Sequence, residues 1–167
     1  ADSKKLGFNI IAVSAFRSFE YQNKLYNNYV NTYGFYYAEL ASAKAAHSEH
    51  QTGLAVDVAD ISLDYDNFEN TKEFKWIKNN AHKYGFILRY TEGYENIHGF
   101  IFEPWHYRYV GVDIATDMYK NYPNMTYEEL VAKAKEEVGE NTVKTYGNSS
   151  QLEKALTAFT EATGIKV

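Results

Sequence analysis

The chain has 167 residues, enough for one domain with a hydrophobic core. Its net charge of -5 gives no electrostatic support for nucleic-acid binding, and no apolar run reaches the roughly 18 residues that a membrane span needs. Cysteine is absent, which excludes disulfides, thiolate metal sites and catalytic thiols. Any metal must therefore be held by histidine and carboxylate side chains.

The N-terminal half predicts a strand, a helical region and a second strand. "FNIIAVSAF" at 8–16 is rich in β-formers, and "RSFEYQNKLYNNYVNTYG" at 17–34 has a helical apolar stripe that Gly34 could close. "YYAELASAK" extends or follows that helix. "LAVDVAD" at 54–60 alternates as a strand, which places Asp57 on one face with the alanines.

The middle of the chain predicts a helix and a hairpin. The helix covers 70–85, with Asn70 as its N-cap and Gly85 as its C-cap. "FILRY" (86–90) and "HGFIFEPWHYRYVG" (98–111) have strand-like composition and are joined by "TEGYENI", which reads as a turn.

The C-terminal region predicts further helices. "TYEELVAKAKEEVG" at 126–139 opens with a capping box, Thr126 with Glu129. "NTVKTYG" could be a strand, and "SSQLEKALTAFTEATG" at 149–164 a last helix. Local hairpins mixed with helices predict an α+β fold.

Four polar residues stand out because they lie in or beside apolar strand-like segments: His50, Asp57, Glu103 and His106. Two histidines and one aspartate suit zinc and leave a fourth position for water. Glu103 could then act as a general base. Each residue also has an ordinary interpretation, since a lone aspartate is often a solvent-facing group on an edge strand and a lone histidine is often a surface residue.

Three blocks, "SAFRSFEYQ", "SEHQTGLAVD" and "EPWHYRYVG", together resemble the VanY-type D-alanyl-D-alanine carboxypeptidases, zinc peptidases that share a fold with the hedgehog signalling domain. The resemblance covers about residues 6 to 131. It implies a small antiparallel sheet flanked by helices. The positions that match the family pattern are Ser48, His50, Gly53, Ala55, Asp57, Glu103, Trp105 and His106.

The resemblance also implies roles for individual residues. His50, Asp57 and His106 would bind one zinc ion, and Glu103 would be the general base and acid. The implied reaction is hydrolysis of the C-terminal D-alanine peptide bond of a peptidoglycan stem peptide. The specificity could be D,D or L,D.

Three further residues are implied to handle the substrate. Arg17 would neutralise the oxyanion or bind the terminal region of the substrate, since guanidinium groups suit planar anions. Gln22 and Ser48 would help to hold the terminal carboxylate of D-alanine.

The domain organisation and setting follow from the same resemblance. Residues 1–131 would form the zinc carboxypeptidase domain, with its N-terminal segment cropped, and 132–167 an extension of a strand plus a helix whose role is unknown. The extension faintly resembles the opening of an extracellular solute-binding protein, and its alternative is a helix that packs on the core. We expect an extracytoplasmic bacterial protein, secreted or associated with the envelope, although no signal peptide is visible.

Two other functions stay open at this point. One is a cell-wall endopeptidase of the endolysin type on the same fold, which would cut a cross-link instead of a terminal residue. The other is a zinc-binding module without catalytic activity, which the presence of Glu103 disfavours.

Overall fold

The computed structural model describes residues 2–65 and 67–138, which contain helices and a small antiparallel sheet. The α+β class predicted from the sequence is therefore confirmed. The strands are β1 (Ile11–Ser14), β2 (Ala55–Ala59), β3 (Phe86–Leu88) and β4 (His106–Tyr109). The helices are α1 (Asp2–Lys5), α2 (Phe19–Tyr33), α3 (Phe35–Ala41), α4 (Lys72–Asn80), α5 (Glu95–His98), α6 (Val112–Asn121) and α7 (Tyr127–Val138), with 3-10 turns at Glu49–Thr52, Phe68–Asn70 and Ala81–Tyr84.

The four strands lie in the order β1-β2-β4-β3, and each neighbouring pair is antiparallel. Successive side chains of a strand point to opposite faces, so the two central strands divide their residues between two environments. Val58 and Tyr107 pack in the buried core with Phe68 and Phe74. Their neighbours Asp57 and His106 project from the opposite face. There they form a polar cluster with His50 and Glu103.

The N-terminal helical region folds as its sequence predicts. Ser18 accepts a hydrogen bond from the Tyr21 backbone N–H and so caps α2. Gly34 ends α2 at φ 87°, a left-handed conformation that favours glycine, and α3 follows at once. The polar and aromatic segment at 35–41 is therefore a separate helix after α2.

Three local predictions need correction. The N-cap of α4 is Thr71, whose hydroxyl accepts from the Phe74 N–H at 3.0 Å, and Asn70 ends the preceding 3-10 turn. The helix ends at Asn80 and a 3-10 turn continues to Gly85. The turn predicted over "TEGYENI" contains the start of α5.

The long strand predicted at 98–111 is also wrong, because only His106–Tyr109 pairs as a strand. Before it, the Ile101 N–H donates to the Leu40 carbonyl and the Glu103 N–H donates to the Tyr90 carbonyl. Pro104 has no N–H to give to a ladder, so the chain turns between Glu103 and His106.

Residues up to Thr126 form one compact unit, and α7 belongs to a second unit that begins at Tyr127. The division at residue 131 stays a prediction. The strand and helix predicted after residue 139 lie outside the described residues. In the part of the chain that the structure describes, no helix has the length and apolar character to cross a membrane.

Candidate active site

The loop before β2 places His50 in the site. His50 lies in the 3-10 turn Glu49–Thr52, which Gly53 ends at φ 72° by donating its N–H to the His50 carbonyl. No neighbouring atom would obstruct a Cβ at this position, so it is the left-handed conformation that favours glycine here. The His50 carbonyl also accepts from the Arg17 N–H at 3.2 Å. One backbone contact thus joins two of the three sequence blocks.

The pairing of β2 with β4 brings together Asp57 and His106. These residues are direct partners in the antiparallel register, so their side chains share one face of the sheet. Asp57 Oδ1 lies 3.0 Å from His106 Nδ1 and 3.2 Å from His50 Nε2. All three side chains are buried. The sequence prediction that these residues converge agrees with this arrangement.

The three donor atoms have the character of a cation site. His50 Nδ1 lies 2.6 Å from the Ala15 carbonyl oxygen, which can only accept, so the ring proton belongs on Nδ1. The buried Nε2 then presents a lone pair toward the Asp57 carboxylate, and it has no hydrogen-bond partner among the described residues. One ligand atom from each of His50, Asp57 and His106 lies within 4.8 Å of the others. A divalent cation between them would satisfy all three.

The electrostatics of the cluster favour positive charge. Burial alone would raise the pKa of Asp57, but the contacts with the two imidazole rings, led by the hydrogen bond with His106, outweigh it and hold the pKa below its usual value. Burial works to lower the pKa of His106, but the hydrogen bonds with Asp57 and Glu49 raise it to about 9. The negative charge that holds a proton on His106 would also hold a metal ion.

Glu103 lies beside these groups and carries no arginine partner within ion-pair distance in the described residues. Its carboxylate Oε2 is 3.7 Å from His106 Nδ1, and the residue is 8% exposed. Burial, with repulsion from Asp57 and Glu49, raises the pKa of Glu103 to about 7. A carboxyl group with a pKa near neutrality can both accept and return a proton, as general acid–base catalysis needs.

The guanidinium of Arg17 lies at the edge of the cluster, with Gln22 behind it. Arg17 Nη2 forms an ion pair with Asp57 Oδ2, and its Nε donates to Ser14 Oγ at 2.9 Å. Gln22 is 1% exposed; its Oε1 accepts from Arg17 at 3.4 Å and its amide nitrogen donates to the Ala43 carbonyl at 2.6 Å. Ser48 is buried and lines the same cavity as Arg17.

The sequence reasoning did not identify Glu49, which the structure places in the cluster. Its Oε2 lies 3.3 Å from His106 Nε2, and its Oε1 accepts from Arg89 at 2.8 Å and contacts Arg108 at 3.3 Å. Burial alone would raise its pKa, but the hydrogen bond with His106 and the two arginines lower it to about 2. The signal in the sequence was its place inside the "SEHQTG" block.

A cavity of about 1250 Å³ opens over the polar cluster, and Glu103 and His106 lie in its wall. Aromatic side chains extend this wall along α2 and α3. The rings of Tyr29 and Tyr33 are 5.6 Å apart, and those of Tyr33 and Tyr37 are 5.3 Å apart. The polar cluster and these tyrosines therefore line one cavity with mixed polar and aromatic walls.

Comparisons with known proteins agree with this geometry. Residues 1–112 match the family VanY, D-alanyl-D-alanine carboxypeptidase. A D-alanyl-D-alanine carboxypeptidase of Enterococcus faecium is 37% identical over 129 residues, which make up 77% of this chain and 38% of that relative. The chain spans between 38% and 57% of the length of the curated relatives it matches.

Two solved structures share the fold at substantial identity. The LD-carboxypeptidase LdcB, solved to explain peptidoglycan recognition, is 40% identical with a TM-score of 0.71, over 79% of this chain and 62% of that one. A variant of the vancomycin resistance D,D-pentapeptidase VanY, in complex with Zn(II), is 34% identical with a TM-score of 0.63, over 71% of this chain and 70% of that one. Metal-loaded and peptidoglycan-directed proteins thus share this architecture.

Proposed function

This chain belongs to the VanY family of D-alanyl-D-alanine carboxypeptidases, and we propose that it is a zinc-dependent carboxypeptidase that removes the C-terminal D-alanine from peptidoglycan stem peptides. The observation that carries the proposal is the convergence of three buried donor atoms with the buried carboxylate of Glu103 in the wall of one cavity. Such a set has the parts of a metallopeptidase site.

The metal would be held by His50 Nε2, Asp57 Oδ1 and His106 Nδ1. The orphaned lone pair of His50 is the structural support for this assignment. Two histidines and a carboxylate are a common catalytic zinc set. When bound, zinc would supply Lewis acidity, which acidifies water and polarises a carbonyl group.

Glu103 would move the proton of the reaction. Its carboxylate accepts a proton from the attacking water and returns it to the leaving amine of D-alanine, so that the group ends the cycle in its starting state. Burial supports this role because it limits the access of bulk water to the carboxylate. A pKa raised to about 7 suits both halves of the transfer.

Arg17 would bind negative charge on the substrate. Its guanidinium lines the cavity and is held by Ser14, Gln22 and Asp57, so its position is set before the substrate arrives. Gln22 supports this arrangement from its buried position, and Ser48 offers a hydroxyl in the same wall. Contact of Gln22 and Ser48 with the terminal carboxylate stays a prediction.

The aromatic part of the cavity would accommodate the rest of the stem peptide. Tyrosine rings combine an apolar surface with a polar tip, which suits a peptide of mixed character. The substrate is a component of the cell wall, so we place the protein outside the cytoplasm, secreted or associated with the envelope.

Mass spectrometry of stem peptides tests the proposal. The zinc-loaded protein is incubated with a stem peptide that ends in D-Ala-D-Ala, with one that ends in a single D-alanine, and with a cross-linked dimer, each with and without a chelator. We expect loss of terminal D-alanine from a free stem peptide and its suppression by the chelator. Cleavage of the dimer alone would establish an endopeptidase, and no zinc-dependent cleavage of any substrate would establish a non-catalytic module.

A further inference from the structure

We infer that Glu49 is a positioning residue of the metal centre: held by Arg89 and Arg108, it keeps the His106 ring proton on Nε2 and so reserves Nδ1 for the metal. This inference rests on the proposed zinc site. It assigns a role to a residue that the family motif leaves open, between the two specified positions Ser48 and His50.

The His106 ring turns a different nitrogen toward each of two carboxylates. Its Nδ1 faces Asp57 Oδ1 at 3.0 Å, on the side where His50 Nε2 also lies. Its Nε2 faces Glu49 Oε2 at 3.3 Å. A neutral imidazole has one proton, and the metal needs the nitrogen that lacks it. Only a proton on Nε2 leaves His106 able to bind a cation together with His50 and Asp57.

Two arginines anchor the Glu49 carboxylate. Its two carboxylate oxygens have different tasks, since Oε2 faces His106 while Oε1 meets Arg89 Nε at 2.8 Å and Arg108 Nη1 at 3.3 Å. The Glu49 side chain is 15% exposed and that of Arg89 is 9% exposed. Two cations on one oxygen keep the group ionised and fixed, so it can only accept from Nε2.

Two residues of this network lie close to the predicted metal ligands along the chain. Glu49 directly precedes the predicted ligand His50, and Arg108 follows the predicted ligand His106 by two residues on the same face of β4. Arg89 is joined to that strand by its N–H, which donates to the His106 carbonyl at 3.1 Å. Glu49 therefore links the turn that carries one ligand to the strand that carries the other. Carboxylate partners of this kind typically contribute 10- to 100-fold to metal affinity.

The test is zinc affinity in Glu49→Gln, measured by competition with a chromogenic chelator. The arginines should bind the oxygen of the new amide and so turn its NH2 group toward His106 Nε2. Because an NH2 group donates, Nε2 must then accept, and the ring proton moves to Nδ1, where it competes with the metal. We expect about 10- to 100-fold weaker zinc binding. Glu73→Gln is the matched control, because Glu73 is a buried carboxylate on α4 that accepts from the Asn9 N–H, and it should bind zinc as the wild type does.

A second measurement keeps the inference decidable if Glu49→Gln does not fold. Two-bond ¹H–¹⁵N correlation spectra of the zinc-loaded wild type should show the His106 proton on Nε2 and the His50 proton on Nδ1. A His106 proton on Nδ1 would overturn the inference, as would zinc affinity in folded Glu49→Gln within threefold of the wild type. A wild type that binds no zinc would instead overturn the proposed metal site itself.

Discussion

Replacement of Glu103 by glutamine tests the proton-transfer role most directly. The substitution keeps the shape of the side chain and removes its ability to accept a proton. General acid–base groups contribute about 10²- to 10⁴-fold to rate, which is about 2.7 to 5.5 kcal/mol of barrier at about 1.36 kcal/mol per tenfold. Because Glu103 is 8% exposed and glutamine fills the same space, a water molecule has limited access to the position of the lost carboxylate to act as a substitute base. We therefore expect a loss in the upper half of that range, about 10³- to 10⁴-fold.

The assay is release of D-alanine from a stem peptide, detected with a D-amino acid oxidase, at matched zinc content of each protein. Glu73→Gln serves as the control for loss of a buried carboxylate that does not line the cavity, and it should keep its turnover. Folding is checked by circular dichroism and zinc by elemental analysis. Turnover of folded, zinc-loaded Glu103→Gln within tenfold of the wild type would refute the assignment of Glu103 as the base.

Three further predictions address the metal, the substrate charge and the C-terminal region. His106→Ala should lose zinc and turnover together, and stoichiometric zinc in that variant by elemental analysis would contradict its role as a ligand. Arg17→Ala should lose most of the preference for a free-acid over an amidated peptide. That preference is about 10- to 150-fold if one charge-assisted contact of about 1.5–3 kcal/mol binds the carboxylate. An unchanged acid-to-amide ratio would transfer that role to Ser48 or Gln22. A chain that ends at Thr126, where the first compact unit ends, should keep zinc and turnover in the same assays, and loss of turnover with zinc retained would reveal a catalytic part beyond it.

Strand alternation made the position of Asp57 predictable from the sequence. A charged residue in "LAVDVAD" must leave the core face, and the alternation assigns it to the face opposite Val56 and Val58. The structure has this arrangement, with the aspartate between two histidines. The motif blocks then predicted which distant residues it would meet.

The length of the strand that ends at His106 could not be read from composition. The segment before it is apolar and aromatic, as strands are, but its backbone groups bond to the Leu40 and Tyr90 carbonyls instead of a sheet neighbour. That choice depends on tertiary contacts, which override local β-propensity. This irregular backbone matters for the site. Because the chain turns at Pro104 instead of continuing as a strand, the Glu103 carboxylate lies beside the His106 ring.

Glu49 was missed for a different reason. A glutamate next to a histidine in a polar loop reads as a solvated group, and apart from its place inside the "SEHQTG" block nothing distinguishes it from an ordinary surface carboxylate. Its partner Arg89 lies 40 residues away and becomes a neighbour only when β3 pairs with β4. Networks assembled from separate elements leave no periodic signal in the sequence.

The register of β2 against β4 connects the stability of the fold to the chemistry of the site. Asp57 and His106 are direct partners, and their neighbours Val56 and Tyr107 are the next pair. A slip of one residue would move one member of the polar pair to the core face and bring an apolar side chain to the cavity. Tyr107 is 1% exposed in the core cluster, so the packing around it opposes such a slip. The hydrophobic core therefore specifies the register, and the register sets the 3.0 Å approach of Asp57 to His106 on which the metal site depends.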